Sequence, residues 1–458
     1  MSLIPAAMIP CPATFPRSRF TTSKRVPMRF SALALSATAL LLTGCSGLQS
    51  VSTPAPIAMA GVHGSVFGGQ QPIAGALVQI YQAGTTGYGT GATGLISGGG
   101  VLTGTGGDFH ITGLYTCTPG SQVYIVASGG NPGFGGNNPA SMEMAGLGLC
   151  DNLSSSTFIQ MNEVTTIGSV YALAQFMNGV NIGAPATNQT ALAQAFADVN
   201  TLVNIGAGVA PGPAAPANAT VPAAEINALA NSIAACINST GTGPACTMLF
   251  TDTTPAGGTA PTDVLSATIN IARGQYPVAN ANSILNLASS APPFSSTFTT
   301  ATDLTLSVTY SGAGIAAPTA VAIDAGGNVW VANGNNSVSE IAHSGVAISG
   351  TGGFAVGGVT LPTAIAIDGS GNAWVANANN SLAEVTTAGG AGSGSPFVGG
   401  GLASPTSIAF DAFGNIWLAN SGNNSLSEFS PSGTAISSVS GFAATGVTAP
   451  VGVAINPR

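Results

Sequence analysis

The 458-residue chain is 45% hydrophobic and only 5% charged, with seven basic and 15 acidic residues. Five of the basic residues precede Cys45 and every acidic residue follows it, so a chain starting at Cys45 would have a net charge near −13. This acidic balance excludes nucleic acid as a partner, because phosphate backbones are bound by clustered Lys and Arg. The length allows several domains.

The amino terminus has the pattern of a secretory signal. A basic segment with Lys24, Arg25 and Arg29 precedes an apolar run over residues 30–42, which is too short to span a bilayer. The Leu-Thr-Gly-Cys motif that ends at Cys45 resembles a bacterial lipobox. The resemblance implies that Cys45 becomes the acylated first residue of a lipoprotein. A plainly cleaved secretory signal is the alternative.

This signal predicts the location of the protein in the cell. We expect residues 1–44 to be the signal peptide, with Met28 as the true start and 28–44 as the functional signal, and residues 45–60 to be a lipidated tether. Ser46 after the cysteine resembles sorting to the outer membrane. The protein is therefore expected to be exported and lipid-anchored at the bacterial outer membrane or cell surface, facing the periplasm or exterior. The anchor is its only expected membrane contact.

The cysteine count fits an oxidising compartment. Of six cysteines, four follow the signal region, and an even number favours two disulfides. We expect the local pairs Cys117–Cys150 and Cys236–Cys246. A metal–thiolate site is the rival, and the CxxC spacing typical of such sites is missing from the sequence.

Residues 61–150 show β periodicity. Val78 and Ile80 alternate with Gln79, and Phe109 and Ile111 flank His110. The order GSVFGGQQPIAGALVQIY, TGTGGDFHITGLY and SQVYIVASGG resembles the carboxypeptidase-regulatory-like (transthyretin-like) β-sandwich, interrupted by a Gly-rich insertion at 84–100. The resemblance implies a spacer or adhesive unit without catalytic residues.

Residues 160–292 change to helical periodicity and predict a small all-α domain. Asn162 is the predicted N-cap of the first helix, and Pro222 lies in the opening turn of the third. Four apolar stripes are expected to form the core: Val164, Ile167, Tyr171 and Ala174; Leu192, Phe196, Val199 and Val203; Ile226, Leu229, Ile233 and Ile237; Leu265, Ile269 and Ala272.

Residues 300–458 contain three similar copies of one sequence motif. The copies begin at Pro318, Pro362 and Pro405, and a fourth begins at Pro450 as PVGVAINPR. A period of about 40–50 residues with several short strands per unit indicates β-propeller blades. The first copy, PTAVAIDAGGNVWVANGNNSVSEI, predicts strands at 319–324, 329–333 and 337–342 and a weaker one at 346–350.

These copies resemble NHL-type and streptogramin-lyase-like propellers. Trp330, Trp374 and Trp417 recur at one position and are expected to pack between blades. Only three to four blades are present, so the propeller is short. Three explanations for how it closes, or fails to close, remain open. Segment 304–318 could pair with 450–455 and close a four-bladed ring, the chain could be truncated, or a second copy could complete the ring. An unclosed array favours association.

Asparagine-rich loops at 333–336, 377–380 and 420–424 are expected to share one end of the array with the segments between copies. We nominate Asn333, Asn377 and Asn420 as ligand-binding residues for a sugar, polyol or cation, against the alternative of turn chemistry alone. The Asp-x-x-Gly-Asn turns would lie at the opposite end.

Candidate catalytic residues are sparse. His63, His110 and His343 are scattered in the sequence, and GxSxG and HExxH motifs do not occur. The resembling lyases and lactonases use catalytic histidines or a channel-bound divalent metal, whereas the copies here contain only His343. Glu340, Glu384 and Glu428 recur on the third strand and are interpreted as solvated or hairpin-bonding. We expect no catalytic residue, metal or cofactor.

The sequence thus predicts a multidomain, mainly β protein: a β-sandwich, a small all-α domain and a short, incomplete NHL-like propeller at 300–458. A non-enzymatic binding or adhesive scaffold is favoured, with a protein or glycan ligand or self-association. The alternative is a metal-dependent lyase or lactonase of the streptogramin-lyase-like propeller type. A decayed gene whose propeller no longer closes is the third hypothesis.

Overall fold

The structure is a computed structural model that describes residues 57–58, 61–112, 115–289, 291–443 and 445–456. The predicted signal peptide, Cys45 and most of the tether lie outside these residues. The described chain is mainly β, with several small sheets and six short helices, and its sheets do not form a closed barrel. Within the described ranges, each helix is too short or too polar to cross a bilayer.

The first region consists of small antiparallel sheets with one parallel pair. A four-stranded sheet has the order β11-β2-β3 with β7 also on β2, and β11 runs parallel to β2. A five-stranded sheet has the order β10-β9-β4-β5 with β6 on β4. The strands are β1 Ile57–Ala58, β2 Val62–Gly68, β3 Gln71–Pro72, β4 Leu77–Gln82, β5 Thr93–Gly94, β6 Val101–Leu102, β7 Asp108–Ile111, β8 Thr116–Cys117, β9 Gln122–Ser128, β10 Met142–Leu149 and β11 Phe158–Met161.

The predicted period-two pattern decides which side chains this region buries. Phe109 and Ile111 are buried while His110 between them is exposed.

Both predicted cysteine pairs are confirmed at disulfide distance, with Cα atoms 6.5 Å apart for Cys117 and Cys150. For Cys236 and Cys246 the separation is 4.5 Å.

The second region is helical and packs on the five-stranded sheet. The described helices are α1 Glu163–Leu173, α2 Gln189–Leu202, α3 Ala223–Ile237, α4 Pro244–Asp252, α5 Val264–Ala272 and α6 Ala281–Leu285. Short 3-10 helices lie at Cys150–Asn152, Ala174–Phe176, Ala186–Asn188 and Val278–Asn280, and short strands at β12 Met177–Asn178, β13 Asn181–Ile182 and β14 Ala219–Thr220.

Helix α1 begins as predicted. The Asn162 side chain accepts from Thr165 N at 3.0 Å, and Thr165 Oγ1 accepts from Asn162 N, which completes a capping box. The helix is buried on nearly every side, because it lies between α2, α3, α5 and β10. Side chains from both sheets and from the helices form one continuous hydrophobic cluster, which we call the core region.

The third region contains three successive antiparallel sheets, which we call repeat 1 (318–361), repeat 2 (362–404) and repeat 3 (405–449). Each has three strands in chain order, and repeat 3 adds a fourth. The strands are β15 Thr309–Tyr310, β16 Pro318–Ile323, β17 Val329–Asn333, β18 Ser337–Ile341, β19 Pro362–Ile367, β20 Ala373–Asn377, β21 Ser381–Val385, β22 Pro405–Phe410, β23 Ile416–Asn420, β24 Ser425–Phe429 and β25 Phe442–Ala443.

Two of the three tryptophans pack between repeats, as predicted, whereas Trp417 is only partly buried and its ring lies 5.8 Å from that of Phe442 in the same repeat. Trp330 lies in one buried cluster with Ile365 and Val375 of the next repeat. Trp374 lies in a second cluster with Leu418 of repeat 3. Repeats 1 and 2 therefore each cover one face of the following repeat with a large ring.

Of the three answers left open for closure of the array, the four-bladed ring made by pairing 304–318 with 450–455 is not formed by the described residues. Strand β15 pairs with β14 of the helical region and not with segment 450–455. Ala219 and Thr220 of the helical region are the pairing partners of Tyr310 and Thr309. Strand β15 therefore does not join the two ends of the array, which stays open.

Candidate functional site

The nominated Asn333, Asn377 and Asn420 lie at the ends of the second strands and are fully buried. The Nδ2 group of Asn333 donates to Ser339 Oγ at 2.9 Å, and its Oδ1 accepts from Ala316 N at 3.2 Å. Asn377 and Asn420 repeat this arrangement, with Oδ1 accepting from the linker amides of Thr360 and Ala403. These side chains join the linker before each repeat to its second strand.

The exposed asparagines of the same loops also have a defined role. Asn336, Asn380 and Asn424 have φ angles of 65°, 64° and 59°, a left-handed conformation that asparagine tolerates. Their Oδ1 atoms accept from the backbone amides of Leu361, Ser404 and Ala449 at 2.7–2.8 Å. The loops therefore lie beside the linkers, as predicted.

The Asp-x-x-Gly-Asn turns are built by the aspartate. In repeat 1, Asp324 Oδ1 accepts from Gly326 N and Asn328 N at 2.8 and 2.9 Å. Its Oδ2 accepts from Asn328 Nδ2 and Trp330 Nε1. Partial burial raises the pKa of Asp324, but these hydrogen bonds outweigh it and hold the pKa below its usual value. The carboxylate is committed to its own turn.

Of the two predicted roles for Glu340, solvated or hairpin-bonding, the second is found: its Oε1 accepts from Asn328 Nδ2 at 3.4 Å. It is buried, and its Oε2 has no hydrogen-bond partner in the described structure. Burial, followed by the charge of Asp324, raises its pKa.

Polar side chains from three separate segments meet in a cavity of about 670 Å³ between α2 and repeat 1. Gln194 and Asp198 come from α2, Tyr310 from β15, and Asp324 and His343 from repeat 1. We call this cavity the α2–repeat 1 cleft. It combines two carboxylates, an amide, an imidazole and a phenol along one surface.

Hydrogen bonds position both walls of the cleft. Gln194 Nε2 donates to Asp198 Oδ1 at 3.0 Å and to the His343 carbonyl at 3.4 Å. Asn218 Nδ2 donates to the Gly345 carbonyl at 2.9 Å and holds the same hairpin. Burial raises the pKa of Asp198, while the Gln194 hydrogen bond and the charge of His343 oppose that rise.

Two of the three histidines are neighbours, although they are far apart in sequence. His63 and His110 are paired across β2 and β7, and their stacked rings have centroids 6.0 Å apart. The sequence signal for this pairing was that each histidine lies on a predicted strand with alternating buried and exposed positions. Across the described ranges, no group of three or more His, Cys, Asp or Glu could hold a metal ion.

The chain matches no family model and no curated protein. Solved structures with some similarity are virginiamycin B lyase from Staphylococcus aureus (19% identity, TM-score 0.22) and a streptogramin B lyase (16%, 0.23). A third is a catalytically inactive S. aureus virginiamycin B lyase with quinupristin (17%, 0.21). The matches cover 26–27% of this chain and 40% of each lyase, so the chain spans less than half the length of these propeller-like proteins.

Proposed function

We propose that this protein is an exported, lipid-anchored surface protein that acts as a non-enzymatic binding or adhesive scaffold. In this proposal residues 61–150 are a carboxypeptidase-regulatory-like β-sandwich next to the anchored tether. Residues 160–292 are a helical domain, and residues 300–458 are NHL-like propeller repeats. The repeats hold their loops with internal asparagine, serine and aspartate hydrogen bonds, which suits a rigid scaffold.

The α2–repeat 1 cleft is the observation that carries a binding role. Its volume of about 670 Å³ is within the range of small-molecule sites, about 300–1,000 Å³. Its walls come from two regions of the chain and are fixed by hydrogen bonds. The nominated Asn333, Asn377 and Asn420 are fully buried and do not line this cleft.

The chemistry of the cleft favours a neutral glycan. Asp198 and Asp324 place two carboxylates in its walls, and His343 is the one basic side chain there, so an anion would be repelled. The Asp198 carboxylate can accept further hydrogen bonds from sugar hydroxyl groups, whereas the Asp324 carboxylate is taken up by its own turn and the Gln194 amide already donates to Asp198 and His343. The ring of Tyr310 supplies a flat apolar surface for a sugar face.

Glycan binding is tested with an array of neutral oligosaccharides probed with the full chain. We expect at least one glycan to bind, and the Asp198→Asn and His343→Ala variants to weaken binding at least tenfold. His110→Ala is the matched control, since that histidine is exposed on a distant strand. An array without binding, or equal losses in all three variants, would contradict the proposal. Loss of binding on chelation would favour the metal-dependent lyase instead.

The anchor is tested separately by metabolic labelling with a radioactive fatty acid in a bacterial host. We expect label in the wild-type chain and none in the Cys45→Ser variant. An exported but unlabelled wild-type chain would favour the plainly cleaved secretory signal.

A further inference from the structure

The contacts between first strands follow one rule. On β16 the small residues Ala320 and Ala322 face repeat 2, where they share a hydrophobic cluster with Ile365 and Ile367 of β19. Small residues on one strand therefore receive large residues from the next.

The second contact obeys the same rule. Ala364 of β19 lies in a cluster with Ile408 and Phe410 of β22. The first strands thus present small residues toward the next repeat and large residues toward the previous one.

Segment 450–456 occupies the place of another first strand. Thr406 Oγ1 donates to the Pro450 carbonyl at 2.9 Å, just as Thr363 Oγ1 donates to the Pro405 carbonyl at 2.6 Å. Val453 N donates to Ser407 Oγ at 3.2 Å. This segment has no strand partner in the described structure.

One end of the array exposes small residues of the kind that face the next repeat, and the other end exposes large residues of the kind that face the previous repeat. On segment 450–456 the small residues Gly452 and Ala454 are exposed. On β16 the large residues Val321 and Ile323 are 64% and 66% exposed, whereas the equivalent Ile365 is only 7% exposed. Two exposed β-branched side chains at a position that is covered in the next repeat indicate a missing neighbour.

The helical region already supplies the outer part of that neighbour. Tyr310 pairs with Ala219 as Phe354 pairs with Val338 and as Phe397 pairs with Leu382. The rings of Tyr310, Phe354 and Phe397 each pack on a left-handed glycine of the following hairpin: Gly345, Gly389 and Gly433. Strands β14 and β15 therefore stand where the third and fourth strands of a preceding repeat would stand, and its first and second strands are lacking.

We propose that segment 450–456 of one copy covers Val321 and Ile323 of a second copy, so that two chains associate head to tail. A closed pair would make this contact twice, once from each chain. The inference rests on the propeller arrangement in the proposed function but not on glycan binding.

Light scattering after size exclusion tests the association, using the full chain with Cys45→Ser so that no lipid is attached. We expect a mass twice that of the 44.4 kDa chain at micromolar concentration. The double variant Val321→Asn, Ile323→Asn should be a monomer that still unfolds cooperatively, because both side chains are exposed in the single chain and only the contribution of association to the unfolding temperature is lost. Val439→Asn, at a position 89% exposed in repeat 3, should remain a dimer.

Cysteine trapping identifies the occupant. A mixture of Ile323→Cys chains and Ala454→Cys chains should form a disulfide between two chains. A wild-type monomer, a dimer that survives the double asparagine variant, or an intramolecular disulfide in a monomeric chain with both cysteines would each overturn the proposal. The last result would mean that the chain closes on itself. Failure of the glycan array would leave all these results unchanged.

Discussion

The core region and the repeats bury their side chains in different ways. In the core region, strands and helices that are distant in sequence share one continuous hydrophobic cluster. In the repeats, two small clusters each join neighbouring sheets only. The core region is therefore stabilised as a whole, whereas each repeat depends on its neighbours, as in other repeat proteins.

Polar groups differ between the regions as well. The repeats satisfy theirs with local side-chain hydrogen bonds that recur in each copy, such as those of Asp324 and Asp368. The core region buries Glu143 and Glu163 completely, and the two oxygens of Glu143 have no hydrogen-bond partner in the described structure. The core can contain this unfavourable pair because its apolar cluster is large.

The largest expected effect comes from removing the central ring of the array. Trp374 is 1% exposed and lies between repeats 2 and 3, so Trp374→Ala should destabilise the array by about 3–5 kcal/mol. Urea unfolding followed by the fluorescence of the remaining tryptophans measures this loss. Trp417 is only partly buried, so Trp417→Ala should cost clearly less. Equal losses would show that position in the array does not matter.

Removing either disulfide should lower the unfolding free energy of the core region and leave that of the repeats unchanged. Loss of Cys117–Cys150, which closes a 33-residue separation, should cost about 4 kcal/mol, and loss of Cys236–Cys246, with a separation of 10, about 3 kcal/mol. Paired Cys→Ser variants followed by circular dichroism at the helical signal measure both. A matching shift in the tryptophan signal would argue against separate stabilisation.

The buried carboxyl pair predicts a pH dependence. Burial raises the pKa of Glu163 to about 8, despite the Gly69 amide that donates to its carboxylate at 2.9 Å. Burial and the charge of Glu163 raise the pKa of Glu143 as well. Both groups stay protonated in the folded chain at pH values where the unfolded chain releases the protons.

Stability of the core region should therefore be greatest below the unfolded pKa of about 4.3 and fall as the pH rises toward 8. The expected slope is about 1.4 kcal/mol per pH unit for each proton retained. Denaturant unfolding of the helical signal between pH 5 and 8 measures it. Glu143→Gln should flatten the slope, and an unchanged slope in that variant would exclude this carboxyl as the cause.

The smallest expected effect is local to one turn. Asp368 accepts from Ser370 N and Asn372 N at 2.8 and 2.9 Å and from Trp374 Nε1 at 3.0 Å. Asp368→Ala should destabilise the array by about 1–2 kcal/mol because those donors lose their acceptor. Asp368→Asn keeps one oxygen and should lose less, as measured by tryptophan fluorescence in urea. A larger loss for the asparagine variant would contradict the hydrogen-bond account.

Local patterns in the sequence were sufficient for much of this fold. The repeat period, the turns, the packing of Trp330 and Trp374 and the Asn162 cap all depend on local sequence patterns, and the structure confirms them. Helix α4 was missed although Pro244 at its first position was a start signal. Helix α6 has only five residues, too few to show a periodicity.

Predictions failed where distant segments meet. The cleft joins Asp198, Tyr310 and His343, which no local pattern connects. The burial of Glu340 depends on how the hairpins of repeat 1 fold over it. The replacement of a repeat strand by β14 could not be predicted, because Ala219–Thr220 resembles no strand of the repeats.

The most direct test of separate stabilisation uses reporters that the chain already contains. All three tryptophans are in the repeats, and the six described helices are in the core region. Urea unfolding followed by tryptophan fluorescence and by circular dichroism at 222 nm should give two transitions, with the fluorescence change at lower urea. Coincident transitions would mean that the core region and the repeats unfold as one unit, and would contradict the account.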